Sequence, residues 1–205
     1  MSDQSGSRSH QYDPSMIKIL GGREAVRLRP QMYIGATNQQ GLHRLLEFLV
    51  EGLLSHYSAL GQPLDQITVR LEEDGSATII TSMAVASPTF LQQSTPELQR
   101  DFLRFGRIWS LFVVNALCER FSITIREADH QWQTLMFEQG TLRSNKSHAI
   151  SPPASNCTIW LRLWPDFTIL ESNSFDDKQT QELMRTLSSD HGVAITVIRE
   201  RSSRS

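Results

Sequence analysis

One helical stripe constrains this chain more than any other feature. Between Gln40 and Ala59, Leu42, Leu45, Leu46, Leu49, Val50, Leu53, Leu54 and Tyr57 recur at i, i+3, i+4 and i+7. A stripe this regular must be buried against a second layer. Phe48, Gly52 and Ser55 fall on another face, beside Glu51. Glu47 and Glu51 form an i, i+4 carboxylate pair, a spacing that acid/base sites use. On the flank of an amphipathic helix the same pair reads as a solvated edge. Gly61 and Pro63 end the helix.

The remaining chain alternates strands and helices. A short helix is predicted over Arg23 to Leu28, stopped by Pro30. Gln66 to Glu72 alternates with Ile67, Val69 and Leu71 on one face. Glu73-Asp74-Gly75 supplies a turn, and Ser76 to Thr81 returns. Thr95-Pro96-Glu97 opens a helix that runs to about Arg104. Ile108 to Arg120 reads as a strongly apolar helix, which places Cys118 in a helix and Cys157 in a strand. A hairpin is expected from Phe121 to Arg126 and Gln131 to Glu138. Gly140 to Ser155 is polar, contains Pro152-Pro153, and is predicted to be a mobile loop. Cys157 to Trp164 is a strand, Asp176 to Ser188 an amphipathic helix, and Val193 to Ile198 a last strand. This order predicts an α/β two-layer sandwich, a mixed and mainly antiparallel sheet with helices on one face.

Bulk properties exclude several classes. With 205 residues, one domain is expected. The two cysteines fit neither a metal site nor a disulfide framework. No apolar run approaches the ~20 residues of a membrane helix. The polar start MSDQSGSRSHQ lacks the apolar core of a signal peptide. Together these predict a soluble, cytoplasmic protein with no membrane association. A net charge of −2 gives no reason to expect direct nucleic-acid binding.

Specific runs carry a resemblance. They are Tyr12, Asp13, Ile17, Lys18 and Leu20; then Glu24 to Arg27, Arg29, Pro30 and Met32 to Gly35; then Gly41 to His43 at the head of the long helix. Val113 to Leu117 and Trp164-Pro165 extend the match. The chain resembles the N-terminal ATPase domain of the DNA gyrase B-subunit and its type IIA topoisomerase relatives, in the GHKL superfamily with the Bergerat fold. The resemblance covers about Tyr12 to Arg201. It implies a leader over 1–11, one GHKL-like domain over 12–201 with an N-terminal arm at 12–22, a tail at 202–205, and no transducer domain.

The family's chemistry does not carry over residue by residue. A Bergerat ATPase uses a carboxylate to activate water and, four residues on, an Asn to hold Mg²⁺. Those positions here are Phe48 and Gly52, which offer neither a base nor a metal ligand. The Asp that accepts the adenine amino group becomes Thr81, a weaker acceptor. The two glycines that follow it become Met83 and Val85. The glycine-rich lid becomes Phe105 to Phe112, in which Gly106, Arg107 and Ser110 do not restore the pattern. A fourth motif, Gly-Thr at the start of a late strand, falls near Asn156, Cys157 and Thr158; anchoring on Trp164-Pro165 shifts it, and it stays unassigned.

These replacements predict a pseudo-ATPase: no catalytic residue, no metal, no cofactor, and action through protein contact. Phe48, Phe105, Trp109 and Phe112 are expected to fill the former nucleotide cavity. In the family, the arm crosses to a second subunit, so Tyr12 and Ile17 are candidate contact residues for a homodimer or a gyrase B-like partner. The alternatives are a divergent but working ATPase and a DNA-associated accessory factor.

Overall fold

A computed structural model describes residues 22–83, 109–126, 132–148 and 157–200. The expectations for the leader, the arm with Tyr12 and Ile17, the helix at 95–104 and the tail fall outside these residues. The described elements are helices α1 (Gly22–Leu28), α2 (Gln31–Ile34) and α3 (Gln39–Ala59), strands β1 (Gln66–Leu71) and β2 (Ala77–Ser82), helix α4 (Trp109–Leu117), strands β3 (Cys118–Arg126), β4 (Trp132–Glu138), β5 (Thr141–His148) and β6 (Cys157–Pro165), helix α5 (Asp177–His191) and strand β7 (Ala194–Arg199). The strands form one seven-stranded sheet in the order β5-β4-β3-β6-β2-β1-β7. Only the β1–β7 pair is parallel, as the helical return through α5 requires. The architecture is the expected α/β sandwich.

The core lies between one sheet face and the helices. Every stripe residue of α3, Leu42 through Tyr57, is buried, against Ile67, Val69, Leu71, Ile79, Ile123 and Leu161 of the sheet. Asn38 starts α3 by accepting a hydrogen bond from the Gln40 N–H. Gly41 is needed there for space: a Cβ would sit 1.8 Å from the Ala36 carbonyl oxygen. Asp176 caps α5 through the Gln179 N–H, and Gly192 ends it in the left-handed region.

Long-range polar ties fix α1 and α3. Arg27 donates to the Ala116 carbonyl at 2.9 Å and to Asp166 Oδ2 at 2.6 Å. Buried His43 places Nδ1 2.8 Å from the Gln39 carbonyl oxygen and Nε2 3.0 Å from the Thr180 hydroxyl. Burial alone would raise the Asp166 carboxyl, but hydrogen bonds from Thr168 and Arg27 outweigh it and hold it below the usual carboxylate range.

Two expectations are corrected. The apolar helix ends at Leu117 rather than Arg120, and Cys118 belongs to β3. The Leu117 carbonyl accepts from the Asp166 N–H at 3.0 Å instead of from the next helical turn, and Cys118 pairs with Pro165. The polar segment after Gly140 is not all loop: β5 pairs antiparallel with β4 over Thr141–His148. Gln139 and Gly140, at φ 47° and 78°, make the turn. Among the described side chains of β5, Leu142 alone reaches the core, so the strand shows no apolar alternation.

Candidate functional site

The site is built on the inner side of β2, where α3 crosses the sheet. Tyr57, the last residue of the α3 stripe, aims its hydroxyl at the sheet. It lies 2.6 Å from Thr81 Oγ1 on β2 and 2.6 Å from Thr158 Oγ1 on β6. The two threonine hydroxyls are 3.1 Å apart. A bulge in the β2–β6 pairing, between Thr81 and Ser82, makes room for this: Thr81 pairs with Ile159 while Ser82 already pairs with Cys157. The extra residue, Thr158, turns inward.

Thr81 has no capacity left. A threonine hydroxyl has one proton and two lone pairs. Its oxygen faces Tyr57, Thr158, the Ile159 N–H at 3.1 Å and the Ile159 carbonyl at 3.3 Å. All three side chains are sealed, Thr81 at 0%, Thr158 at 1% and Tyr57 at 1% exposure. Burial pushes the Tyr57 phenol well above its ordinary range, so it remains a neutral hydroxyl. Below the triad, Met83 is buried at the end of β2, and Gly52 is buried on α3.

Toward the start of α3 the surface changes. Phe48 is half-buried against the core, and the Arg44 guanidinium stacks 4.7 Å from its ring centroid. Arg44 also pairs with Glu47. Glu47 and Glu51 are both half-buried rather than fully solvated, and Glu47 is engaged by this cation. Glu47 faces a groove of about 500 Å³ between α2, α3 and α5, lined also by Tyr33, Gln40, His43 and Leu183. None of Phe48, Gly52, Thr81 or Met83 lines that groove.

No protein-family model matches the chain. It is 29% identical over 219 residues to the DNA gyrase B-subunit of Haloferax volcanii, covering 97% of this chain and 34% of that protein. It is 30% identical over 196 residues to the DNA topoisomerase 4 B-subunit of Mycoplasma capricolum, covering 87% and 30%. The fold superposes on the B-subunit of the DNA gyrase from Myxococcus xanthus with a TM-score of 0.70, at 22% identity, over 87% of this chain and 53% of that one. The chain is a divergent relative of the DNA gyrase B-subunit. It spans about a third of the length of these curated relatives.

Within this gyrase B-like domain, the structure gathers only part of the set that the resemblance assigned. Phe48, Gly52, Thr81 and Met83 lie on α3 and β2. Ser110 lies in the first turn of α4, with its side chain outside the described residues. Val85 and Arg107 lie outside them altogether, as does Phe105. Phe112 is half-buried against the core, as Phe48 is. Phe48 packs partly buried on the core under Arg44; the expected filling of a cavity also rests on Phe105 and on the Trp109 side chain, which lie outside the described residues. Sequence reasoning missed the partnership of Tyr57 and Thr158 with Thr81. Tyr57 reads as one more apolar position of the stripe, and the bulge hides Thr158.

Proposed function

We infer that this gyrase B-like domain is a non-catalytic pseudo-ATPase that works as a protein-interaction or regulatory module, in a gyrase- or topoisomerase-related assembly. One observation carries the reading. The position the resemblance assigns to the adenine acceptor, Thr81, is fully buried and saturated by Tyr57, Thr158 and Ile159. An adenine amino group would have to break this set without a carboxylate to reward it. The residues present therefore do not fit a nucleotide. Phe48 has no proton-accepting atom, and Arg44 occupies the space over its ring and engages Glu47.

Contact through the arm that contains Tyr12 and Ile17 would give a homodimer or a pairing with a gyrase B-like protein. The test is thermal unfolding with Mg²⁺ and ATP, followed by affinity capture from the native host. A site filled at a hundred times its Kd would add about 2.7 kcal/mol, or about 5–11 °C for a domain of this size. The expected shift is none, with gyrase or topoisomerase subunits in the captured material. A shift of several degrees would favour the second reading, a divergent working ATPase, which the 30% identity to a topoisomerase 4 protein supports.

A further inference from the structure

The sheet ends on one side in an unprotected strand. Among the described residues, β7 pairs with β1 alone. Val193 to Ile198 reads VAITVI, with no charge, no proline and no glycine. None of the six is fully buried. Val193, Ile195 and Val197 are half-buried on the helical side. Ala194, Thr196 and Ile198 are exposed on the other, Ile198 at 43%. Strand edges are ordinarily blunted by charge, proline, a bulge or a covering segment. The opposite edge, β5, follows that rule with Arg143, Asn145 and Lys146. β7 carries no such device, and an uncharged run rich in β-branched residues is the composition that favours strand pairing.

The backbone groups at this edge have a fixed phase. In a parallel pair, alternate residues direct both N–H and C=O at the neighbouring strand. The Glu200 N–H donates to the Leu71 carbonyl at 3.0 Å, so Thr196 and Ile198 also face β1, and Ile195, Val197 and Arg199 turn their backbone groups to the open edge. A second copy of β7, running antiparallel about a two-fold axis at Thr196, matches that phase. Ile195 then faces Val197 of the second copy on each side of the axis, exchanging two backbone bonds. The same two side chains continue the helical-side core across the axis, and Ala194 leaves room for Ile198 on the other face. Charge fits as well. The Ser188 hydroxyl donates to the Val193 carbonyl at 2.7 Å and holds the end of α5 beside Val193. Arg199 of the second copy, opposite Val193, meets Asp190 and the last carbonyls of that helix, where a cation is favoured.

We propose that β7 pairs edge to edge with β7 of a second copy, joining two seven-stranded sheets into one. This surface is separate from the arm that carries Tyr12 and Ile17. Two short edges bury less than a standard interface, so the dimer is weak and depends on concentration. The experiment is analytical ultracentrifugation of the full chain from about 5 to 500 µM. Mass should rise toward two copies and stop there, because pairing uses up both β7 edges. Thr196→Lys sets two cations opposite each other on the axis and should keep the chain at one copy throughout. Its Tm should stay within about 2 °C of the parent, since Thr196 is exposed. Tyr12→Ala/Ile17→Ala should leave the dimer intact. Thr196→Cys tests the register: a non-hydrogen-bonded pair brings its Cα atoms to about 4.5 Å, within disulfide reach. Mild oxidation should link it into covalent dimers and leave Ser189→Cys on α5 unlinked; Cys118 and Cys157 are buried. A strict monomer, whose edge would await a strand of another protein, overturns the proposal. So does an unlinked Thr196→Cys, or mass that climbs past two copies. A dimer abolished by the arm substitutions and indifferent to Thr196→Lys is the arm contact, and overturns it too. The nucleotide melting experiment reads none of these variables, so either inference can fail alone.

Discussion

Replacing Tyr57 with phenylalanine tests the sealed triad most directly. The ring stays and only the hydroxyl goes, so packing on the α3 stripe is kept. Two hydrogen bonds of 2.6 Å are lost, to Thr81 and Thr158. The threonines retain each other at 3.1 Å, and Thr81 retains both backbone groups of Ile159. A buried hydrogen bond contributes about 0.5–1.5 kcal/mol, and an orphaned partner costs about 1–3. With most of the partners' bonds intact, the expected loss is about 1–2 kcal/mol. At about 2–4 °C per kcal/mol for a domain of this length, Tm falls by about 2–8 °C. Denaturant unfolding should show a lower midpoint at an unchanged slope. Mg²⁺ and ATP should leave both proteins where they are. A variant as stable as the parent would mean that the hydroxyl is not committed to the threonines. A nucleotide shift that appears in the parent would mean that Thr81 is accessible. Either result removes the structural basis for a closed site.

Other consequences can be checked alongside. Arg27→Ala should cost about 2–3 kcal/mol in urea unfolding, because it leaves Asp166, at 6% side-chain exposure, without its cation. Asp166 titrates lower folded than unfolded, so its contribution is present above the unfolded carboxylate pKa and fades as pH falls through the folded value. Asp166→Asn should accordingly lose less stability than the parent between pH 7 and pH 3. Phe48→Ala should cost about 2–4 kcal/mol in denaturant unfolding, somewhat below the toll of a fully buried ring, since Phe48 is only partly buried against the core. Gly75→Ala should destabilise the β1–β2 hairpin by about 1–3 kcal/mol, because φ is +78° and a Cβ would meet the Asn173 carbonyl oxygen at 2.7 Å; an unchanged Tm would show that the turn relaxes.

The fold was legible wherever burial imposes a period. Leu42 to Tyr57 marks α3 because one helix face meets the sheet, and Ile67, Val69 and Leu71 mark β1 because one strand face meets α3. Legibility fails where no such period exists. β5 reads as loop because an edge strand beyond the core needs no apolar alternation. The boundary at Leu117 is invisible because a distant backbone group, the Asp166 N–H, takes the carbonyl that the helix would have used. At the site, Phe48, Gly52 and Thr81 are plain in the sequence, but what each one meets in the fold is not. A tyrosine hydroxyl reaching across the sheet depends on a bulge in β6, and the phase of a bulge is a property of pairing rather than of composition.

A division runs through the residues that carry the family resemblance. Three of the matched residues have their partners inside the fold. Arg27 holds the Ala116 carbonyl and Asp166, His43 bridges α3 to Thr180 of α5, and Gly41 admits the Ala36 carbonyl. Under the proposed assignment the chain departs where the family's residue would meet a ligand: base and metal ligand at Phe48 and Gly52, adenine acceptor at Thr81. The replacements turn those outward needs inward, with Phe48 on the core under Arg44 and Thr81 on Tyr57 and Thr158. A nucleotide-dependent domain must hold polar groups open until its ligand arrives, and each open group costs stability. On the proposed reading Thr81 is satisfied from within, so that position needs no nucleotide to complete it. Full cooperative unfolding at the same midpoint with and without nucleotide is the behaviour this division requires. A domain that melts broadly alone and sharpens with ATP would contradict it.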